Sequence, residues 1–263
     1  MTSFKLTLCE LEDTGNQEVE SFSPTCVKVH RALALAGFSY ERGKSAPEAF
    51  RGGNPATDVP VLIVDGRPVP DSSEVVSLLD VMSGGALTNG LDRAARAEAK
   101  LWEEMADTVL NAFVVAARWL DEDNWPRTRA AYFTTMSPPA RAIVPSRLRS
   151  RVRERLEMNG GGRARDDLRD SRFVMTLDEL EARAPERGFW LGDAPSRADV
   201  AIFAQLWSLR TSLTPRQAGQ IAARPRLSAW LERVHAACDR APVQVTHVAT
   251  RAPVRISASY AFA

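Results

Sequence analysis

The sequence has few cysteines, no long hydrophobic run and no recognisable leader segment. Its three cysteines, Cys9, Cys26 and Cys238, are too few for a disulfide framework and lack metal-ligand spacing with the histidines. Its longest apolar runs fall well short of the roughly 18 residues that indicate a membrane span. No basic segment followed by an apolar core opens the chain, so we predict no secretory signal. These absences predict a cytoplasmic protein with no membrane partner and no bound metal.

Neither sign of charge dominates the chain, because 34 basic and 33 acidic side chains give a net charge of +1. The distribution is uneven, since residues 127–172 carry 12 arginines against 5 acidic residues. Within this stretch, one run has arginines at alternate positions, which spreads charge around a helix, and this run has no interleaved aromatic residue, unlike a nucleic-acid site; its arginines are Arg147, Arg149, Arg151, Arg153 and Arg155. We predict a solvated helix face without a nucleic-acid partner. Attraction of an anionic cosubstrate is a second interpretation.

Strand-like and helical patterns mix in residues 1–84, whereas the rest of the chain has helical patterns alone. The predicted elements of the first part are a strand over 4–11, a helix over 24–36, a strand over 38–42, a hairpin over 61–70 and a helix over 75–82. The hairpin is predicted from an Asp-Gly pair between two apolar runs. The order is therefore β-α-β, loop, β-β-α, with a loop rich in Gly and Pro over 50–60.

Apolar residues at helical spacing mark a long helix over 102–120 and further helices up to residue 238. Ser196 and Asp199 have the spacing of a capping box before an apolar helix. Residues 241–263 contain no acidic residue and little periodicity, so we predict a C-terminal tail.

The first candidate site is Ser23-Pro24-Thr25-Cys26, which follows a strand and opens a helix. The N-terminus of a helix favours an anion and lowers the pKa of a thiol. Ser23 replaces the first cysteine of a Cys-x-x-Cys pair, which excludes a disulfide within the motif. Its hydroxyl can donate to a bound thiolate instead. The alternative is that Ser23 only caps the helix and Cys26 only fills the core.

Two further candidate motifs are Val59-Pro60, which precedes a predicted strand, and Asp71-Ser72, which precedes a predicted helix. A cis bond at Val59-Pro60 would turn the Val59 backbone outward to pair with an extended ligand. Ser72 and its helix N-terminus can hold a carboxylate, while Asp71 meets an ammonium group. Taken alone, Asp71-Ser72 can equally be a simple cap.

On these three motifs together the sequence resembles the glutathione S-transferase superfamily. The residues that carry the resemblance are SPTCVKVHRALALAGFSYE, NPATDVPVLIVDG and DSSEVVSLLD in the first part, and GDAPSRADVAIFAQL in the second. The stretch from NWPRTRAAYF to RLRSRVRERL resembles the branch of metaxin, failed-axon-connections proteins and their bacterial relatives. The resemblance implies an N-terminal thioredoxin-like domain over 1–84, followed by an all-helical substrate-binding domain over 92–240.

The resemblance implies that glutathione is the cosubstrate and assigns residues to its sulfur, its cysteinyl backbone and its γ-glutamyl end. Ser23 would face the sulfur and stabilise the thiolate. Val59 would pair with the cysteinyl backbone ahead of a cis Pro60. Asp71 and Ser72 would hold the γ-glutamyl end.

Other residues receive weaker assignments from the same resemblance. Cys26 occupies the place of a buried cysteine of the redox relatives, so it is a possible secondary thiol whose role is more structural than catalytic. Tyr132 and Phe133 are candidates for the wall of a pocket that holds an apolar electrophile. The implied activity is glutathione conjugation, as in detoxification, by a homodimer. The alternatives are a non-catalytic binding or adaptor protein, or a glutathione-dependent isomerase or reductase.

Overall fold

A small mixed sheet with two packed helices forms the first part of the chain. The computed structural model describes residues 4–11, 19–44, 59–134, 136–158, 166–239 and 245–247. The elements are β1 (Leu6–Glu10), α1 (Pro24–Leu35), β2 (Tyr40–Lys44), β3 (Val61–Val64), β4 (Arg67–Pro70) and α2 (Ser72–Met82). This order is the predicted one. Most of the loop predicted over 50–60 lies outside the described residues.

The sheet has the strand order β4-β3-β1-β2-β5. β1 runs parallel to β2 and antiparallel to β3, with Leu8 opposite Leu62. The predicted β3–β4 hairpin is confirmed, and its turn has positive φ angles of 48° at Asp65 and 83° at Gly66. Such a turn matches the twist of the two strands, and glycine adopts this conformation without a steric penalty.

The fifth strand, β5 (Val245–His247), lies within the segment predicted as a tail and pairs in parallel with the edge of β2. The sequence predicted no strand in this segment. An edge strand offers unpaired N–H and C=O groups to any neighbouring chain segment, so pairing there does not need an alternating pattern. The other residues of the predicted tail lie outside the described residues.

Helices form the second part of the chain. The predicted long helix is observed as α3 (Arg93–Met105) and α4 (Asn111–Trp119), which are joined by a π-helical turn over Ala106–Leu110. The helices that follow are α5 (Trp125–Tyr132), α6 (Pro138–Met158), α7 (Asp166–Arg183), α8 (Arg197–Leu209), α9 (Pro215–Ala222) and α10 (Pro225–Asp239). Among the described helices, none has the length and apolarity that crossing a bilayer requires.

The capping box predicted at the start of α8 is confirmed. The Asp199 carboxylate accepts hydrogen bonds from the backbone N–H and the hydroxyl of Ser196, at 2.9 and 2.8 Å. It also accepts from the Trp190 backbone N–H and the Trp230 indole N–H, at 2.8 and 2.9 Å. One buried carboxylate therefore fixes the start of α8 against α10.

α1 lies between the two parts of the molecule and is buried on every side from Cys26 to Ala34. Val29 and Leu33 pack into the core of the sheet, whereas Val27 packs into the core of the helical part together with α8. The fold is thus a thioredoxin-like α/β unit followed by an all-helical part, as predicted. The start of α1, where the first candidate motif lies, is held at the junction.

Candidate functional site

The start of α1 carries the first candidate motif. The Ser23 hydroxyl accepts a hydrogen bond from the Cys26 backbone N–H at 3.4 Å, so the predicted helix cap is confirmed. The Ser23 side chain is completely buried, whereas Thr25 is partly exposed. The two hydroxyl oxygens are 2.8 Å apart and share a hydrogen bond. Of these two hydroxyl-bearing residues, Thr25 is the one that reaches solvent.

The residue before Ser23 is held by the helical part of the chain. The Phe22 carbonyl accepts hydrogen bonds from the Arg118 guanidinium at 2.9 Å and from the Tyr132 hydroxyl at 3.0 Å. Arg118 also donates to the Tyr132 oxygen at 2.9 Å and to the Ser208 carbonyl at 2.6 Å. The ring centroids of Phe22 and Tyr132 are 4.1 Å apart. We call these contacts the Arg118 clamp; they hold the residue before Ser23 against the helical part of the chain.

Cys26 is fully buried and packs with Cys9, Val59 and Val61. Burial is the main cause that raises the pKa of its thiol, and the nearby Glu10 carboxylate raises the pKa further. The thiol is therefore protonated at neutral pH and is out of reach of solvent. Both observations support the structural role of Cys26 over a role as a secondary thiol.

The second candidate motif lies beside the first. The Val59-Pro60 peptide bond is cis, and the Val59 side chain packs against Cys26. α1 therefore touches the cis-proline segment directly, although 33 residues separate Cys26 from Val59 in the chain.

The third candidate motif opens α2 and is joined to α1. Asp71 caps α2, and its carboxylate accepts hydrogen bonds from the N–H groups of Ser73 at 2.8 Å and Glu74 at 3.2 Å. Ser72 is buried, and its hydroxyl oxygen accepts a hydrogen bond from the Lys28 ammonium at 3.3 Å. Asp71 is exposed, so its carboxylate is open to a ligand as well as capping the helix.

A buried group of charges lies beneath the start of α2, and the sequence analysis did not predict it. The completely buried Lys28 ammonium is 2.7 Å from Glu103, 2.6 Å from Asp107 and 3.0 Å from the Ser73 hydroxyl. Arg197 is 2.8 Å from Glu103, so two cations face two carboxylates. We call these four charges the Lys28 network. Its only sequence signal is a lysine within an otherwise buried helix, and its partners are about 75 and 170 residues away in sequence.

The two residues predicted to form the wall of an electrophile pocket are placed differently from each other. Tyr132 lies against Phe22, next to Ser23, and its hydroxyl belongs to the Arg118 clamp. Burial raises the pKa of that hydroxyl. Phe133 is 2% exposed and packs in a core with Trp119. The structure therefore brings Tyr132 to the Ser23 segment and leaves Phe133 in the core, although both rings contact Trp119.

A cavity of about 350 Å³ lies within the helical part of the chain. It is lined by Phe113, Ala116, Ala117, Asp121, Glu122, Asp123, Arg169, Asp170, Phe173, Arg216 and Gln217. The Arg216 guanidinium pairs with Asp121 at 2.7 Å and with Asp170 across this cavity. None of the predicted site residues lines it, and no lining residue comes from the α/β unit.

A second buried polar group joins α1 to β1 and β2. The His30 ring bonds to the Tyr40 hydroxyl at 2.6 Å and to the Glu10 carboxylate at 3.1 Å, and Arg42 pairs with the same carboxylate. Burial by itself would raise the pKa of Glu10, but His30 and Arg42 outweigh it and lower the pKa to about 2. Glu10 is thus a buried carboxylate that stays ionised.

The alternating arginines of the arginine-rich stretch lie on α6. Arg147, Arg151 and Arg153 are exposed, while Arg149 donates to the carbonyls of Trp119 and Leu120 at 2.7 and 3.1 Å. A mostly solvated face with one packing arginine matches the first interpretation of this stretch. In the part of the chain that the structure describes, no group of three or more His, Cys, Asp or Glu side chains is placed to hold a metal ion.

Two family models match the chain. Residues 24–124 match the glutathione S-transferase N-terminal domain, and residues 160–233 match the glutathione S-transferase C-terminal domain. Both matches agree with the order of the α/β unit and the helical part.

Individual proteins that are similar to this chain in sequence or in fold are consistent with the two family-model matches. The maize protein glutathione transferase GST 23 is 39% identical over 98 residues, which are 34% of this chain and 43% of that protein. Metaxin-1 of Macaca fascicularis is 29% identical over 129 residues, which are 46% of this chain and 38% of that protein. The chain thus spans about two fifths of each of these relatives. A glutathione transferase family member from Pseudomonas fluorescens, solved with two glutathione molecules bound, superposes with a TM-score of 0.57 at 17% identity, covering 90% of this chain and 92% of that one.

Proposed function

The chain belongs to the glutathione S-transferase superfamily, with a relationship to the metaxins, and on that premise we propose that it is a glutathione transferase. One observation carries the proposal. α1 touches both other motifs, since Cys26 packs against Val59 and Lys28 donates to Ser72. Three motifs that are separated in sequence are therefore linked through α1.

The γ-glutamyl and cysteinyl parts of glutathione have chemically matched groups in these motifs. The α2 N-terminus with the Ser72 segment suits the γ-glutamyl carboxylate, and the exposed Asp71 carboxylate suits the ammonium. The backbone of Val59, ahead of cis Pro60, suits the cysteinyl backbone. With these parts assigned, the thiol of glutathione would lie at the start of α1, next to the hydroxyl pair of Ser23 and Thr25.

The start of α1 is suited to holding a thiolate. A free thiol has a pKa of about 8.5, and the helix N-terminus and hydroxyl donors favour the ionised form. The thiolate sulfur would attack the electrophilic carbon of an apolar substrate, and the leaving group would depart with its bonding electrons. The gain in rate would come from the lowered thiol pKa and from positioning, without a covalent intermediate on the protein. Tyr132, beside the Ser23 segment, is the better placed of the two predicted wall residues.

An ultraviolet difference titration of glutathione against the protein tests the proposal. We expect absorption of bound thiolate at a pH well below 8.5, and a large loss of it in Ser23→Ala. Ser150→Ala is the matched control, because Ser150 lies exposed on α6 and bonds only within its own helix. Absence of glutathione binding would refute the proposal. If the thiolate absorption is unchanged in Ser23→Ala, Ser23 does not stabilise the thiolate.

The second candidate is a non-catalytic binding or adaptor protein that keeps the fold. The observation that favours it is the complete burial of Ser23 next to the Arg118 clamp. It predicts only trace turnover with generic apolar electrophiles. A glutathione-linked reductase through Cys26 is disfavoured, because that thiol is buried and protonated.

We also propose a cytoplasmic homodimer, which the family resemblance implies. Light scattering at several protein concentrations would measure the mass of the assembly, and a mass near 29 kDa, that of one chain, would contradict the dimer. Cell fractionation would test the location.

A further inference from the structure

Two hydroxyl groups lie at the start of α1, and the residues that carry them differ in exposure. Ser23 is completely buried, and the Arg118 clamp holds the preceding Phe22 carbonyl against the helical part. Thr25 is partly exposed, and its hydroxyl oxygen is 2.8 Å from that of Ser23. A ligand that approaches the first turn of α1 from solvent therefore meets Thr25 before Ser23.

The direction of the shared hydrogen bond fits this placement. The Ser23 oxygen already accepts from the Cys26 N–H, so its own proton is available to donate to the Thr25 oxygen. The Thr25 proton is then free to donate outward. The reverse direction would direct the Thr25 proton to Ser23 and free the proton of the buried Ser23 instead. An anion outside the first turn favours the first direction, since each donor in the chain polarises the next.

The backbone of the first turn adds a second donor at the same place. Thr25 is the second residue of α1, so its N–H has no partner within the helix. Pro24 has no N–H and does not compete for an anion. The hydroxyl and the N–H of Thr25 thus belong to one residue at the positive end of the helix dipole.

We propose that Thr25 is the catalytic residue whose hydroxyl contacts the glutathione sulfur, and that Ser23 is a positioning residue that orients the Thr25 proton. This inference rests on the proposed glutathione transferase function. It reassigns the sulfur-facing hydroxyl from Ser23, which the sequence resemblance implied, to its neighbour.

The titration of bound glutathione distinguishes the two hydroxyls. Thr25→Val keeps the branched shape and removes the hydroxyl, so we expect it to abolish the thiolate absorption at neutral pH. We expect it to lower kcat by roughly tenfold or more while KM stays within about twofold, because the lost contact is with the reacting atom. Thr25→Ser, which keeps the hydroxyl, should retain both signals. A purely structural role for Thr25 would not separate kcat from KM in this way.

The double variant tests whether Ser23 acts through Thr25. Ser23→Ala should reduce the thiolate signal in the natural chain and have no further effect on kcat once Thr25 is valine. Retention of thiolate in Thr25→Val, or an independent effect of Ser23→Ala in that background, would overturn the inference while leaving the glutathione function standing. No glutathione binding to the natural chain would overturn the proposed function, and this inference with it.

Cysteine reporters test the placement without glutathione. Cys9, Cys26 and Cys238, the three cysteines of the sequence, are all buried, so the background of alkylation is low. We expect iodoacetamide to modify Thr25→Cys rapidly and Ser23→Cys at least tenfold more slowly under native conditions. Equal rates, or faster reaction at position 23, would overturn the inference. Full modification of both variants in urea would confirm that each thiol is chemically competent.

Discussion

Replacing Lys28 with methionine removes one charge from the Lys28 network at the junction of the two parts. Lys28 is completely buried and bonds to Glu103, Asp107, Ser72 and Ser73. After the substitution Glu103 keeps Arg197, but among the described residues the only partner left to Asp107 is the Ser73 hydroxyl at 3.2 Å. Breaking a buried ion pair on one side costs about 3–5 kcal/mol, because the remaining charge is left without compensation.

Urea unfolding of the two proteins measures the loss directly. We expect the free energy of unfolding of Lys28→Met to fall by about 3–5 kcal/mol, and the midpoint of thermal unfolding to fall on the order of 10 °C. Lys100→Met is the matched control, because Lys100 is exposed on α3. It should change the stability by less than about 0.5 kcal/mol.

A second substitution shows whether the uncompensated carboxylate is the cause. Asp107→Asn removes the unpaired charge and leaves the pair Glu103–Arg197 balanced, so Lys28→Met with Asp107→Asn should be more stable than Lys28→Met alone. A Lys28→Met loss below about 1 kcal/mol, the size expected of an exposed pair, would refute the reasoning. Purely additive effects of the two substitutions would refute it as well.

Three other predictions follow from buried groups. Folding lowers the Glu10 pKa from 4.5 to about 2, so its carboxylate contributes about 3 kcal/mol above pH 4.5, and this contribution is lost as the pH falls toward 2. In acid titrations of stability, Glu10→Gln should lack this dependence; an unchanged slope would contradict the assignment. Cys26 should resist alkylation in the native protein and react in urea, as peptide mass spectrometry would show; native modification would contradict its burial. Arg118→Met should lower the free energy of unfolding in urea by about 3 kcal/mol, whereas the exposed control Arg127→Met should change it by less than about 0.5. A loss for Arg118 as small as that for Arg127 would exclude the Arg118 clamp as a stabilising contact.

The features that the sequence predicted well are those set by local chemistry. The Ser23 cap, the Asp65-Gly66 turn and the capping box of Ser196 with Asp199 each depend on residues within a few positions of one another. Such contacts form whenever the chain adopts the local conformation, so residue type and spacing are enough to predict them. The order of strands and helices followed from the same local signals.

Features that depend on distant residues were not predicted. The π-helical turn that carries Asp107 and the burial of Phe133 depend on packing against elements elsewhere in the chain. The strand over 245–247 depends on an open edge of β2, which exists only after the sheet has formed.

The sequence by itself determined the fold class, the family and the three motifs that mark the proposed glutathione site. Tertiary structure alone decided that Ser23 is buried while Thr25 reaches solvent, and that Arg118 and Tyr132, about 100 residues away, hold the preceding Phe22 carbonyl. It also decided that Lys28 is buried, since its charge is compensated only by carboxylates of the helical part. The physical reason is the same in both cases. Solvent exposure and charge compensation are properties of the whole packed surface around a side chain, and no short stretch of sequence contains that surface.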